Sequence, residues 1–453
     1  MKLLLRLIIM SLCVLRTFSV VAGQDSTWTL NDCVRYAQAN NLDIRTAELD
    51  ARSSKMAYDY SRYGRLPSLS LGSNYGTNFG RSINPTTNAF ENTRFSSLGL
   101  NASANVLLFG WFEKKYAIQK SQLQAKGGAL SLEQAKQTLV LTVATAYLRV
   151  LLAKEQVANT LDQISLSIYN KQRIEKLLAA GKSNVLEQSQ VATGLATDSS
   201  AYLQAVLNYE QAMIDLKTVL SIDLSEEMAL VSPLAEDIYT LEKPDADLIY
   251  QAAAGHLPEV KIGLVQIQLA GKDLDIAKSK LYPRLSLYVS SGTNYSSSFY
   301  ETLPSGETQL MSFSKQFGNN ISQSVGIGFS IPVFNGLTSQ MNIKTVKLGI
   351  QKAGIQNDAI LQKLKQDVYK ACTDYQLTLE RYRLAQHTLG SSELSLKAAT
   401  SRYEYGFINF YEYLTEKNNF LKAQNELSAL KFELYFAKLK MAYYKGEFGN
   451  NLN

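Results

Sequence analysis

Residues 66–80 read LPSLSLGSNYGTNFG, and this alternation decides the fold class of the chain. One set of positions carries apolar, aromatic or hydroxyl side chains, namely Leu69, Leu71, Ser73, Tyr75, Thr77 and Phe79. The positions between them carry only serine, glycine and asparagine. A period of two predicts a β-strand. A polar face without charged side chains is typical of a strand with one side toward lipid and the other toward a water-filled bore.

Three further stretches alternate in the same way, so four long strands are predicted, at about 67–80, 95–108, 283–296 and 320–333. A soluble sandwich also alternates, but its strands average only about 5 to 6 residues. Four strands cannot close a membrane barrel, which needs at least about eight, and lipid does not tolerate an open sheet edge. The chain is therefore predicted to oligomerise, and only about twelve strands from three copies would leave an aqueous bore.

Two motifs recur, which indicates a duplicated chain. Residues 66–71 (LPSLSL) return as 282–287 (YPRLSL), and residues 181–187 (GKSNVLE) return as 406–412 (GFINFYE). The two offsets are similar, roughly 216 and 225 residues. The predicted organisation is a signal peptide at 1–23, a first repeat at 24–222, an acidic linker or equatorial segment at 223–246, and a second repeat at 247–453.

Long helices are predicted to follow each pair of strands. No proline occurs between Phe112 and Gly181, and a helix of about 65 residues would extend nearly 100 Å. Apolar residues spaced three and four apart predict a coiled-coil seam in each half. The first seam is Leu139, Val143, Ala146, Val150, Ala153, Val157, Leu161, Ile164 and Ile168, and the second is Leu361, Leu364, Val368, Ala371, Tyr375, Leu379 and Tyr382.

Each long helix is predicted to end at a glycine, Gly181 or Gly406, where a left-handed backbone lets the chain reverse. Asn184 and Asn409 are suited to begin the antiparallel return helices. The sequence therefore predicts two hairpin tips, at 181–184 and 406–409.

The N-terminus predicts export. Basic Lys2 and Arg6, a short apolar run and small residues before Gln24 are typical of a removable signal peptide. Bulky Leu12 before Cys13 disfavours lipidation. Beyond this leader no run of about 18 apolar residues is expected to form a transmembrane helix, so any membrane span must be β-structure.

The two remaining cysteines, Cys33 and Cys372, lie on predicted helices. One disulfide between them is possible in an oxidising compartment, and two separate core residues are the favoured interpretation.

The residue types exclude several classes of protein. His256 and His387 are the only histidines, and no metal-binding, nucleophile or phosphate-binding motif is present, so no enzyme, metal or cofactor is predicted. No dense basic stripe with interleaved aromatic residues indicates a nucleic-acid partner. An extracytoplasmic coiled-coil structural or adhesion protein without channel activity stays open as the alternative, although it would leave the four strands without a use.

The order of elements, the Leu-Pro-x-Leu-Ser-Leu motif and the two Gly-x-x-Asn tips resemble the TolC family of outer-membrane efflux proteins, over nearly the whole chain after the leader. The resemblance implies a homotrimer whose twelve-stranded barrel in outer-membrane lipid continues into a twelve-helix tunnel in the periplasm of a Gram-negative bacterium. It implies a passive duct for efflux or type I secretion, gated at its periplasmic tip. Its partners would be a periplasmic membrane-fusion adaptor and an inner-membrane pump of the RND or ABC type.

The resemblance also implies which residues meet the adaptor. Family members use the glycine-bearing turns, which correspond here to Gly181, Lys182, Ser183, Gly406, Phe407 and Ile408. The cargo is not implied, because specificity resides in the pump.

A gate is implied one turn further along. Glu412 matches an acidic position of the family's constriction, Thr415 stands where a second acid would be, and Glu416 follows it. Glu187 and Tyr403 fall at the positions of a closed-state link, although Ile408 replaces an arginine often found there. Independently of the resemblance, three symmetry copies of Glu412 at a narrow end would focus a negative field and favour cations. A lone glutamate is otherwise a solvated helical carboxylate.

Overall fold

The computed structural model describes residues 27–83, 88–232 and 244–447. The predicted signal peptide, and residues 233–243 of the predicted linker, lie outside the described residues.

Within the described residues, helix lengths pair across the two halves of the chain. Lengths of 11, 22, 67 and 36 residues each occur twice, in the same order. The helices are α1 (Leu30–Asn40), α2 (Leu42–Tyr63), α3 (Glu113–Ala179), α4 (Val185–Leu220), α5 (Ala246–His256), α6 (Pro258–Ser279), α7 (Phe313–Asn319), α8 (Thr338–Glu404) and α9 (Phe410–Lys445). These lengths support the proposal of a duplicated unit, and the short α7 has no counterpart among the described residues of the first half.

The strands are β1 (Thr27–Trp28), β2 (Ser68–Ile83), β3 (Phe90–Phe109), β4 (Ala229–Leu230), β5 (Arg284–Ser296), β6 (Tyr300–Thr302), β7 (Thr308–Leu310) and β8 (Ser322–Ser330). The four long ones form one antiparallel sheet in the order β2-β3-β5-β8. β2 and β3 extend further toward their connecting loop than predicted. β8 stops at Ser330 rather than residue 333, because Pro332 has no N–H for the ladder.

The glycines of the polar face make room for asparagine side chains of the neighbouring strand. Gly72 lies opposite Asn101 and Gly99 opposite Asn74. A Cβ at Gly72 would lie 2.7 Å from the Asn101 Oδ1 atom, so the amide occupies the space of the missing side chain. On the other face Leu69, Leu71, Tyr75 and Phe79 are all more than 70% exposed. The apolar face is thus left uncovered by this chain, as a lipid-facing surface requires.

The chain divides into two compact units, and each takes segments from both halves. The sheet unit comprises Glu48–Ser131 and Pro258–Ile360, and the helical unit comprises the chain up to Ala47, Leu132–Leu257 and the chain from Leu361 onward. The compact units therefore differ from the predicted consecutive repeats, because α3 and α8 each contribute to both units.

In the sheet unit, the helices follow the same order as the strands. Gly128 of α3 packs on α2, where a Cβ would lie 3.0 Å from Ser54 Oγ, and Lys120 of α3 pairs with Asp273 of α6 at 2.6 Å. Gly263 of α6 accommodates Asn357 of α8. The helix order is α2-α3-α6-α8, so α2 and β2 form one edge of this unit and α8 and β8 the other.

In the helical unit, Tyr147 of α3 lies at the centre of the core. Its side chain is fully buried, and its hydroxyl lies within hydrogen-bond distance of two carbonyl oxygens, those of Trp28, at 3.0 Å, and Val231, to which its one proton can be donated. This ties the core helix to the short parallel pair β1–β4.

The predicted first seam is buried from Leu139 to Ala153, and beyond Ala153 it is at most half-buried within this chain. Leu139, Val143, Ala146, Val150 and Ala153 are buried, but Leu161 and Ile168 are exposed and the buried positions become Ser167, Asn170 and Ile174. The reason is that polar partners on α4 and α9 face this stretch of α3. In the second seam every residue is buried except the half-buried Leu361.

One 18-residue window of α3 is apolar enough to cross a membrane, with a mean hydropathy of 1.2, and half of it is buried. The core helix of a protein that crosses no membrane passes the same test, so the expectation of no transmembrane helix beyond the leader stays a prediction. Residues Val143, Tyr147 and Val150 of α3 belong to the core cluster, which accounts for an apolar stretch in this helix.

Cys33 and Cys372 are both buried and unpaired, which confirms the interpretation as separate core residues. Burial raises the pKa of the Cys33 thiol to about 12. Because the folded-state pKa lies above the unfolded one, the thiol favours folding below the unfolded pKa, and this contribution is lost as pH rises toward about 12.

We expect Cys33 to resist thiol reagents in the native protein at pH 8, since the thiolate is the reactive form and would be a minute fraction there. Titration of a Cys372→Ser chain with a chromogenic disulfide reagent, with and without denaturant, measures this. Rapid native labelling of Cys33 would contradict it.

Candidate functional site

The two hairpin tips share one backbone motif. Gly181 and Gly406 adopt left-handed φ values of 68° and 78°. The next N–H, of Lys182 or Phe407, bonds back five residues to a helix carbonyl at 2.8 Å in both tips. This is the Schellman ending in which glycine avoids the penalty of a Cβ at positive φ. Local sequence therefore suffices to turn the chain here.

The return helices begin with matching caps. The Asn184 Oδ1 atom accepts from the Glu187 N–H at 2.8 Å, and the Asn409 Oδ1 atom accepts from the Glu412 N–H at 2.9 Å. Asn409 Nδ2 also donates to Glu412 Oε1 at 3.0 Å. Glu412 is thus part of a helix cap, in addition to any role in a gate.

The side chains of the two tips differ in chemistry. The first tip presents Lys182, which is exposed, and the half-buried Ser183. The second presents three aromatic side chains that are all more than 70% exposed: Tyr405, Phe407 and Tyr411. Ile408, one of the predicted docking residues, instead packs partly inward against the apolar cluster of the tips.

This apolar cluster joins the two hairpins. Its buried members are Ile174, Val191, Tyr403, Phe410 and Tyr413. The rings of Tyr403 and Tyr413 stack with centroids 5.1 Å apart and planes 15° apart. Asn170 of α3 donates to the Tyr413 hydroxyl at 3.2 Å, so the second hairpin is held to the first by both packing and hydrogen bonds.

A polar contact crosses between the hairpins at Glu187. The Tyr403 hydroxyl of α8 donates to Glu187 Oε1 at 3.0 Å, and Ser183 Oγ donates to Glu187 Oε2 at 2.7 Å. Burial, together with the negative charge of Glu187, raises the pKa of Tyr403, so its hydroxyl stays a donor at neutral pH. A hydrogen bond to a charged acceptor is worth about 1.5–3 kcal/mol. The two residues named for a closed-state link are therefore in direct contact within one chain.

Arg173 reinforces this contact and was not predicted. Its guanidinium lies over the Tyr403 ring, 4.8 Å from the centroid, and donates to the carbonyl oxygens of Tyr403 and Glu404 at 3.2 and 3.1 Å. A cation at these carbonyls also complements the C-terminal dipole of α8. Nothing in the sequence distinguishes Arg173 from the half-buried Lys171 and the exposed Lys176 beside it.

Two cavities open beside the tips. One of about 780 Å³ lies between the hairpins, and Arg173, Lys182, Glu187, Phe407 and Glu412 are among its lining residues. A second, of about 420 Å³, is lined by part of α8 and by a row of α9 residues including Glu412, Thr415 and Glu416. Glu412 borders both cavities. The Thr415 hydroxyl donates to the Tyr411 carbonyl at 2.9 Å within its own helix.

Among the described residues, no group of histidine, cysteine, aspartate and glutamate side chains could hold a metal ion. The tips offer exposed aromatic surface, a hydrogen-bonded link and carboxylates. This arrangement suits docking and gating.

Comparison with known proteins identifies relatives over nearly the whole chain. The family model described as "Outer membrane efflux protein" matches residues 34–221 and 248–442. The Cation efflux system protein CusC of Escherichia coli K12 is 23% identical over 413 residues, which is 87% of this chain and 81% of CusC. The Outer membrane protein TolC of the same organism is 23% identical over 427 residues, covering 89% and 79% of the two chains.

A solved structure agrees in fold. The Campylobacter jejuni CmeC outer membrane channel superimposes with a TM-score of 0.77 at 18% identity, covering 92% of this chain and 86% of that one. At this identity the likeness establishes the fold, and with it the TolC-like architecture that the family resemblance implies.

Proposed function

This chain belongs to the outer membrane efflux protein family and is an outer-membrane efflux channel of a Gram-negative bacterium with its helical body in the periplasm, and on that premise we propose a homotrimeric passive duct that is gated at the hairpin tips. The observation that carries the proposal is the Tyr403–Glu187 hydrogen bond, which joins the two hairpins at the end of the chain's long helices.

The open edges of the sheet unit support the trimer. Within the described residues β2 and β8 each have one unpaired side, and lipid does not tolerate unpaired strand edges. Since the strands alternate in direction, β8 of one copy placed beside β2 of the next continues the antiparallel pattern. Three copies of the four-stranded sheet then close a twelve-stranded barrel.

The edge helices carry matching apolar stripes. On α2 the side chains of Leu49, Met56 and Tyr63, seven residues apart, are 64%, 63% and 63% exposed. On α8 the side chains of Met341, Leu348 and Ile355 have the same spacing and are 59%, 64% and 69% exposed. Residues seven apart lie along one stripe of a helix. Such stripes suit α8 of one copy packing against α2 of the next.

The tips suit docking to a periplasmic membrane-fusion adaptor that links the duct to an inner-membrane pump of the RND or ABC type. A relative is named a cation efflux system protein, which supports a place in an efflux assembly. The docking residues we propose are Gly181, Lys182 and Ser183 at the first tip, and Gly406, Phe407 and Ile408 at the second.

Opening requires the second hairpin, α8–α9, to move away from the first, α3–α4. The Tyr403–Glu187 contact resists this movement. An adaptor opens the duct only by binding the open arrangement more tightly than the closed one. We assign the chain no catalytic step, nucleotide or cofactor, because transport through the bore is passive.

The first test is the mass of the detergent-extracted mature protein together with its single-channel conductance in a planar bilayer. We expect a trimer with small, mostly closed conductance. A soluble monomer without conductance would overturn the duct and favour a coiled-coil structural or adhesion protein.

We propose that Glu412 forms the constriction together with Thr415 and Glu416. The same recordings test the role of Glu412. Glu412→Gln removes three charges from the trimer but retains an acceptor for Asn409, so the helix cap is preserved. We expect a lower preference for cations over anions, roughly several-fold. Glu426→Gln, the same change further along α9, is the control, and unchanged selectivity in Glu412→Gln would remove Glu412 from the gate.

A further inference from the structure

A buried ion pair joins three helices about one turn beyond Tyr413. Lys417 of α9 donates through Nζ to Asp198 Oδ2 of α4 at 2.7 Å and to Ser167 Oγ of α3 at 2.8 Å. The side chains of Gln163 and Ser167 also donate to Asp198. The side chains of Lys417 and Asp198 are only 4% and 8% exposed.

Stability alone does not account for a charged pair at a buried position. Two charges taken out of water lose their hydration, and well-packed apolar residues of similar volume are often as stabilising as a buried pair. A buried ion pair differs from apolar packing because its hydrogen bonds form at only one position of one helix relative to the other. Apolar side chains stay packed when one helix slides along its neighbour. What the pair supplies is therefore the register between the helices that carry it.

Lys417 and the side chains that it contacts lie on different hairpins, so opening separates them. Lys417 lies on the second hairpin, and Asp198, Ser167 and Gln163 all lie on the first. Movement of the second hairpin away from the first therefore breaks both of these Lys417 hydrogen bonds together. It would also leave Asp198 without its counter-charge until water enters.

We propose that the Lys417–Asp198 pair, with Ser167 and Gln163, is a second, internal latch that positions the closed tips, an inference that rests on the proposed function. The Tyr403–Glu187 contact borders the cavity at the tips, where an arriving partner can reach it. The ion pair is enclosed between helices and yields only when the helices themselves separate. Both contacts stabilise the same closed arrangement, so the loss of either one raises the open fraction.

The test records channels in planar bilayers from four homotrimers. They are the wild type, Tyr403→Phe, the double variant Asp198→Asn/Lys417→Met, and Lys171→Met. The double variant removes both charges while conserving volume, so no unpaired charge is buried. We expect its open fraction to rise about tenfold, equivalent to about 1.4 kcal/mol, with a melting temperature near that of the wild type. Lys171 pairs with Glu175 on its own helix at 3.9 Å, so Lys171→Met should conduct like the wild type.

The outcomes separate this inference from the proposed function. Double-variant trimers that stay closed while Tyr403→Phe trimers open would overturn the internal latch and leave the gated duct intact. If neither variant opens the channel, the gate at the tips fails and the latch with it. Should the double variant not assemble, Ser167→Ala removes two hydrogen bonds, from Lys417 and to Asp198, while keeping both charges. A smaller rise in open fraction is expected, and unchanged conductance there would overturn the latch.

Discussion

Replacing Tyr403 by phenylalanine is expected to convert the mostly closed trimer into a mostly open one. The change removes the hydroxyl that donates to Glu187 at 3.0 Å and keeps the ring that stacks on Tyr413. A hydrogen bond to a charged acceptor contributes at least about 1.5 kcal/mol. Three symmetric copies then shift the equilibrium by on the order of a thousandfold. Single-channel recording of open fraction and conductance measures the effect.

The matched control is Tyr405→Phe, two residues along the chain. It also removes a phenolic hydroxyl, but the Tyr405 side chain is 79% exposed. Its channels should behave like the wild type. Tyr403→Phe trimers that remain as closed as the Tyr405→Phe trimers would show that the contact with Glu187 does not hold the gate. A raised open fraction in both would point to a general loosening of the tip rather than to this hydrogen bond.

Introducing glutamate at both Leu348 and Ile355 is expected to abolish trimer assembly. Both side chains lie on the exposed stripe of α8, and in the proposed trimer they are covered by α2 of the next copy. Burying an unpaired carboxylate costs several kcal/mol, and the trimer would bury six of them. Native mass measurement of the detergent-extracted protein should detect monomers, and bilayer conductance should be lost.

A charge reversal at the neighbouring Lys347 is the control for this variant. Lys347 is already charged and exposed, and it lies about 100° around the helix from Leu348, off the stripe. Lys347→Glu should leave the trimer intact. Stable trimers of the Leu348→Glu/Ile355→Glu chain would show that this face of α8 does not form the contact between copies.

Much of the architecture follows from local sequence patterns. The alternation from Leu69 onward predicts a strand, because a pleated chain presents successive side chains to opposite faces. The glycines at 181 and 406 and the asparagines three residues later predict reversals, because left-handed backbone and capping depend on adjacent residues alone. The end of β8 at Ser330 also has a local cause, because Pro332 has no N–H for the ladder, although the alternation alone extends the strand to residue 333.

The candidate site was predictable only in part. The residues of the tips were located from their motifs and from the family resemblance, and Glu187 and Tyr403 were named as a linked pair. Arg173 was missed, since a surface lysine or arginine near a helix end carries no distinguishing pattern. The inward packing of Ile408 was missed for a similar reason, because its neighbours come from the other hairpin.

The periodicities, the reversals and the membrane-facing chemistry of the strands follow from the sequence without the structure, since they depend on residues within a few positions of each other. Only the tertiary structure decided which polar groups are buried together. Beyond Ala153 the first seam becomes polar because Asp198 and Lys417 supply the partners for Ser167, and Lys417 is 250 residues away from Ser167 in sequence. A buried polar group is stable only beside its partner, and no local pattern specifies a partner that far along the chain.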